Sequence, residues 1–417
     1  MIRTLLPAVL AFGLGLATSN LAAAEIISLP RALELAERYS PRLQTALAEV
    51  ERTRSGIRTA RAYPNPELEL STGRIRSRGA GSIPGNNTVL SIGQPIDLPS
   101  HRAPRIRAAE NTFEGSRFAL DEARLIMRTS VKSAYYEVLR RKAEYELALE
   151  NQRLLEQTRN RIELSVRVGE RPRFELVRIE AELASAANQA NSARLRVTQA
   201  LAMLKVLIGA PLPDDTDVQQ ETLPNYTLTD DYETLRVRML ENYPALRQAQ
   251  SEIRAAEARL ENERALRVPR PTLTAGIERE PTDNRGLFGI SIPIPVWDQR
   301  QGPIGESVAR FQQATSNAEL TRIELLGDLE ISFNRLLVAR QQIEAFEGGL
   351  LRQAESALRV AEAAFRFGER GFIEVLDAQR VLRQVRVDYM NARFEKQAAL
   401  VEIERLTAQD LAGEVRP

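Results

Sequence analysis

Two very long stretches of the chain repeat their apolar residues at helical intervals. Leu329, Phe333, Leu336, Ile343, Phe346, Leu350, Ala354, Leu358, Ala361 and Phe365 keep steps of three, four or seven. They form one stripe on a helix, with Arg and Glu filling the remaining positions. No proline lies between Pro104 and Pro172, nor between Pro303 and Pro417. A helix from Arg105 to Val168 would be roughly 95 Å long. That is too long to bury in one globular core, so it must pack in a coiled-coil-like wall. Gly169 and Gly368 stand where each long helix should reverse, marking the tips of antiparallel helical hairpins at one end of the molecule.

Elsewhere the rhythm changes to two. Phe288, Ile290, Ile292 and Ile294 alternate with Gly289, Ser291 and Pro293, and Leu90, Ile92, Gln94 and Ile96 match them upstream. Leu68 and Leu70 alternate with Glu67, Glu69 and Ser71; Leu273, Ala275 and Ile277 alternate with Thr272, Thr274 and Gly276. Such alternation fits strands with one face to lipid and one to water. Taken alone it better fits a soluble hairpin with one face on a core, and the two hairpins' place beside helices too long for a compact domain reverses that reading. Four strands cannot close a barrel, for which about eight is the practical minimum. A barrel therefore requires further copies of the chain to complete the sheet edges. Tyr63 and Trp297 flank the first and last strands at their shared end, as an aromatic girdle or as core aromatics. Residues 74–87 and 281–286 read as exposed loops.

The chain is built twice. Pro41 and Pro244, Pro64-Asn65-Pro66 and Pro269-Arg270-Pro271, Pro95-Ile96 and Pro293-Ile294, and Gly169-Glu170-Arg171 and Gly368-Glu369-Arg370 recur at offsets of 198 to 205. Arg102 and Arg300 share that register, as do Glu175 and Glu374. Each half reads helix, strand, strand, long helix, long helix. This predicts a first repeat over 25–209 with a hairpin at 66–97, a linker at 210–231, a second repeat over 232–411 with a hairpin at 271–296, and a tail at 412–417. The first helix of each repeat is predicted to run from Leu29 to Ala62 and from Tyr232 to Arg267.

Composition narrows the function. Arg3, the apolar run Leu5 to Ala17 and Ala22-Ala23-Ala24 read as a secretory signal over 1–24. Cysteine is absent, and His101 is the one histidine. These counts exclude disulfides, thiolate sites, His-based zinc centres and Ser-His-Asp triads. His101, in Leu98-Pro-Ser-His-Arg-Ala-Pro, reads as a loop residue rather than a metal ligand. No phosphate-binding glycine loop is present, so any energy must come from a partner. With Lys+Arg 57 against Asp+Glu 56, the chain has no global field to attract nucleic acid. No enzymatic activity and no cofactor are expected.

The signal, the doubled helix–hairpin–helix–helix plan and the paired glycine tips resemble the TolC family of bacterial outer-membrane efflux proteins, over about Glu25 to Gln409. The stretch from Phe365 to Gln379 is similar to that family's second hairpin tip. Ala62-Tyr-Pro-Asn-Pro-Glu-Leu68 looks most like its CzcC-type heavy-metal branch. The resemblance implies a mainly α fold with a small transmembrane β part: a homotrimer with a 12-stranded barrel in outer-membrane lipid, continuous with a 12-helix coiled-coil periplasmic tunnel. It also implies two partners, a periplasmic adaptor (membrane fusion protein) and an inner-membrane RND-type pump, in a tripartite system passing divalent heavy-metal cations outward. By resemblance, Glu374 and Asp377, with Glu175 as the acid of the first half, constrict the tunnel, and Arg370 latches neighbouring helices. Val168, Gly169, Glu170, Arg171, Phe367, Gly368 and Glu369 would face the adaptor. Read from the residues alone, acids on a helix are more often solvated surface, although Glu374 and Asp377, three apart, share a face. Drug export or type I protein secretion through the same duct remains open, as does a secreted coiled-coil structural or adhesive protein without a pore.

Overall fold

The computed structural model describes residues 26–76, 83–220, 223 and 228–409. The expected signal at 1–24 and tail at 412–417 lie outside the described residues, as does much of the loop within 74–87.

Each long wall begins with a broken helix. α1 (Leu29–Tyr39) and α2 (Pro41–Arg61) replace the single helix expected from Leu29 to Ala62. Later in the chain, α5 (Tyr232–Asn242) and α6 (Pro244–Ala265) replace the one expected from Tyr232 to Arg267. The cause is local. A proline disfavours helical backbone in the residue before it, and Ser40 and Tyr243 are extended (ψ 119° and 125°). The proline itself then sits comfortably as the first residue of the next helix. Asp231 caps α5 by accepting from the Thr234 N–H at 3.0 Å.

The tall elements are α3 (Pro99–Arg167), α4 (Arg173–Ile208), α7 (Gln301–Ala345), α8 (Leu351–Arg366) and α9 (Phe372–Thr407). α3 has 69 residues and begins earlier than expected, taking in Pro104 near its start. At about 1.5 Å per residue it is roughly 100 Å long. The second wall is not continuous: a π-helical turn at Phe346–Leu350 separates α7 from α8. The apolar stripe hints at why. Phe346, Leu350, Ala354 and Leu358 follow in successive steps of four, each overshooting a helical turn by about 40°. A wider turn takes up that drift.

β2 (Glu67–Ile75), β3 (Gly85–Pro95), β5 (Thr272–Arg279) and β6 (Asn284–Ser291) form one antiparallel sheet in that order. The pairing of β3 with β5, Leu90 opposite Ile277, joins the two hairpins edge to edge. Strand pairing reaches into both segments read as loops, since Arg74 faces Asn86 and Arg279 faces Asn284. Ile292 and Ile294 fall outside β6, because Pro293 and Pro295 offer no N–H to a ladder.

The segment read as a linker is partly ordered. β4 (Asp217–Val218) pairs in parallel with β1 (Ile26–Ile27). The Tyr135 hydroxyl donates to the Gln219 carbonyl at 3.0 Å and Lys142 Nζ to Asp217 Oδ2 at 2.7 Å, which ties this piece to α3. A core of Leu35, Val131, Tyr135, Leu204 and Ile208 lies beneath it. A second core joins Leu235, Met239, Leu329, Leu336 and Leu400. The buried pair Lys132–Glu404 links α3 to α9 between them. A third core, with Leu155, Ile162, Ile179 and Phe372, fills the space near the tips.

His101 is a further correction. It lies in the first turn of α3, fully buried, with Nε2 3.0 Å from the Ala265 carbonyl. Arg270 Nε donates to its Nδ1 at 3.4 Å, and the fully enclosed Asp97 binds Arg105 at 2.6 Å close by. These residues knot the two halves together where the helices meet the sheet. Burial and long-range partners make His101 a packing residue rather than a loop residue.

Candidate functional site

The two helical tips are built alike. At the end of α3 the Gly169 N–H donates to the Val166 carbonyl (3.1 Å) and the Glu170 N–H to the Ser165 carbonyl (2.9 Å). At the end of α8 the Gly368 N–H donates to Phe365 (3.2 Å) and the Glu369 N–H to Ala364 (3.0 Å). Gly169 and Gly368 have φ of 82° and 75°, the left-handed conformation that closes a helix and suits glycine. This leaves Val168 and Phe367 projecting, 62% and 78% exposed.

The tips lie side by side. The Arg171 guanidinium of the first sits 3.8 Å from the centroid of the Phe365 ring of the second, and Phe365 packs on Phe372 at 5.5 Å. The cation–π contact contributes on the order of 0.5–1 kcal/mol at an exposed site. It gives Phe365 a definite partner across the two hairpins.

The acids come with arginines. Arg171 Nη1 lies 3.1 Å from Glu175 Oε2, and Arg370 Nη1 lies 3.2 Å from Glu374 Oε1, each one helical turn apart. Asp377 stands 3.7 Å from Arg380, which also pairs with Glu182 on α4. The Glu175 side chain is mostly covered, whereas those of Glu374 and Asp377 are 45% and 62% exposed. Within one chain, then, this band of carboxylates is largely neutralised by paired guanidinium groups. That pairing was readable for Arg171–Glu175 and Arg370–Glu374 from their spacing of four. The Arg380–Glu182 pair was not, because its members are 198 residues apart.

The sheet has two unlike faces. Leu68, Ile92, Ala275 and Phe288 line up across the four strands, with Leu70, Leu90 and Ile277 in the next row. Almost all of this apolar face is open to the surroundings, Phe288 at 89%. The opposite face carries Glu67, Gly93, Thr274 and Gly289 in one row and Glu69, Ser91, Gly276 and Leu287 in the next. β2 and β6 each leave one edge unpaired among the described residues.

At the helical end of the sheet, Tyr63 (66% exposed) holds the Arg102 guanidinium 4.5 Å from its ring, and Trp297 is 96% exposed. Among the described residues no group of three or more His, Cys, Asp or Glu side chains could hold a metal ion. No described helix is long and apolar enough to cross a membrane.

Known proteins share these features. The family model described as outer membrane efflux protein matches the chain twice, over residues 32–210 and 235–409. The cobalt-zinc-cadmium resistance protein CzcC of Cupriavidus metallidurans is 28% identical over 92% of this chain and 90% of its own length. The nickel-cobalt-cadmium resistance protein NccC of Alcaligenes xylosoxydans is 24% identical over 74% of this chain and 70% of its own. Among solved structures, the CmeC outer-membrane channel of Campylobacter jejuni superposes with a TM-score of 0.79 at 17% identity, covering 93% of this chain and 88% of that one. With both halves of the chain matched by the family model and the fold shared with a solved channel, this chain belongs to the outer membrane efflux protein family.

Proposed function

We propose that three copies of this chain close their sheets into one 12-stranded barrel in the outer membrane. Their helices then form a 12-helix coiled-coil tunnel across the periplasm, each chain contributing two tandem repeats. The observation that carries this reading is the sheet itself. It has four strands, two free edges, one exposed apolar face and one face that carries Gly, Ser, Thr and Glu beside Val89 and Leu287. Such a sheet is unstable alone in water or lipid, and closure with other copies satisfies its edges. The apolar face then meets lipid and the other lines a water-filled lumen. Tyr63 and Trp297 fit the interfacial girdle at the periplasmic leaflet.

The channel serves as the outermost part of a tripartite efflux system, receiving its cargo from an inner-membrane RND-type pump through a periplasmic adaptor. Val168, Gly169, Glu170, Arg171, Phe367, Gly368 and Glu369 form the surface for that adaptor. Glu374, Asp377, Glu175 and Arg370 line the constriction just inside it. The cargo is divalent heavy-metal cations, a reading supported by relatives named for cobalt, zinc, cadmium and nickel resistance. The chain itself lacks the soft or imidazole ligand sets that select such ions, so selection belongs to the pump and this protein conducts.

Deleting the gene from its host should lower the inhibitory concentrations of these metals, with the wild-type gene restoring them. Unchanged metal tolerance together with new sensitivity to dyes or antibiotics would replace the metal reading with drug export.

A further inference from the structure

The acids of the four-stranded sheet all lie on one side of it. Glu67 and Glu69 of β2 share their face with Val89 of β3 and Glu278 of β5, and the strands place no carboxylate on the apolar face opposite. That apolar face does carry arginine, at one end. Past the row of Leu70, Leu90 and Ile277 comes a row of Thr72, Thr88, Arg279 and Asn284, and the next holds Arg74 and Asn86. Each row lies about 7 Å further along the strands, away from the helices.

Arg74 and Arg279 are both exposed. Arg279 Nε donates to Asn284 Oδ1 at 3.3 Å, and neither arginine forms an ion pair among the described residues. The sequence between β2 and β3 (76–84) contains no acid. At the same height on the other face, charge is compensated. Arg285 lies 3.4 Å from Glu280 and 3.2 Å from Asp283, and Asn87 Nδ2 donates to Glu278 Oε1 at 2.9 Å. The sheet thus ends with its charges matched on one side and with positive charge left over on the other.

The position of that surplus says what it meets. An arginine among lipid tails is costly near the membrane midplane, and the cost falls away at the interface. There the planar guanidinium fork fits phosphate oxygens two at a time. Asn86 and Thr88 of β3 stand between Arg74 and Arg279 in the register and add neutral donors. A surface that is positive, free of acid and continuous with an apolar band complements a lipid whose headgroup carries phosphate.

We propose that Arg74 and Arg279 form a docking surface for the phosphate groups of outer-leaflet lipid, lipopolysaccharide in class, at the far rim of the apolar band. The inference rests on the barrel reading, which turns this face outward and repeats the pair around the rim.

The test titrates diphosphoryl lipid A onto the purified full chain in neutral detergent, with native mass spectrometry reading both the bound lipid and the number of copies. Arg74→Gln/Arg279→Gln should weaken binding by about fivefold per arginine, and Arg74→Lys/Arg279→Lys, which keeps the charge and loses the fork, should fall between it and wild type. Arg285→Gln, at the same height on the other face, should bind as wild type does. Equal affinity of wild type and Arg74→Gln/Arg279→Gln, both trimeric, would overturn the docking surface and leave the barrel standing. Displacement of the lipid by an equal concentration of inorganic phosphate would overturn it as well, making this a site for a free anion. A chain that stays monomeric, or an Arg285→Gln loss as large as that of the double variant, would overturn the barrel reading and this inference with it.

Discussion

Lys132 and Glu404 are both nearly inaccessible, and their ion pair couples α3 to α9 across the middle of the molecule. Removing one partner leaves the other charge buried without it, which typically costs about 3–5 kcal/mol, whereas replacing both by apolar groups is often neutral. Lys132→Met should therefore lower the thermal unfolding midpoint sharply, and Lys132→Met/Glu404→Leu should recover most of the loss. Glu122 carries the opposite kind of charge effect. Burial pushes its carboxyl above the ordinary 4.5, partly offset by the nearby Arg405. The folded chain then holds a proton that the unfolded chain releases, so this group's contribution to stability declines as pH rises from 4.5 through the raised value. Glu122→Gln should raise the midpoint at neutral pH and change nothing below about pH 4.5, as read by thermal melts across pH. Tyr243, in the same cluster, is pushed up to about 12, mainly by burial, and stays protonated throughout that range.

Among the elements, the start of α9 carries the proposed constriction, with its acids paired to arginines. Glu374 and Asp377 each lie near an arginine, Arg370 in the tip just before α9 and Arg380 on α9 itself. A carboxylate ring alone would favour cations; with its arginines present, the balance is close. Glu374→Gln/Asp377→Asn should therefore move the reversal potential of the pore in a salt gradient toward anion preference, and weaken block by divalent cations. Identical reversal potentials and divalent block in both proteins would remove these residues from the constriction. Each hydrogen-bonded glycine reversal at the tips is complete within one chain. Changes in what Val168 and Phe367 present should thus affect docking more than folding.

For the whole molecule, the proposed barrel has the two faces of the sheet separate assembly from conduction. An arginine in place of Phe288 puts a charge on the lipid side, which costs about 2–4 kcal/mol near the membrane midplane. Phe288→Arg should deplete the detergent-stable trimer recovered from outer membranes. Thr274→Arg, on the opposite face, should leave the trimer and lower its conductance. Equal loss of trimer from both variants would contradict an apolar exterior around a watery lumen.

Features that live within one turn or one strand pair were legible without the structure. The helical stripe, the alternation of Leu68 with Glu69, and the left-handed glycines at 169 and 368 each follow from the preferences of neighbouring residues. The proline breaks at Ser40 and Tyr243 were equally local, and reading a helix through them gave the wrong element. The candidate acids were also readable, through their spacing and the family resemblance. Their surroundings were not. Arg171 on Phe365, Arg380 with Glu182 and Lys132 with Glu404 join residues about 200 or more positions apart. Whether such groups meet depends on how long helices are laid against each other, and no local preference encodes that. The same holds for His101, whose flanking prolines resemble a loop but whose ring is enclosed by Ala265 and Arg270 from the other half. It holds too for the β3–β5 pairing that makes one sheet of two hairpins. Local chemistry chose the elements, and burial and pairing between distant segments decided their partners.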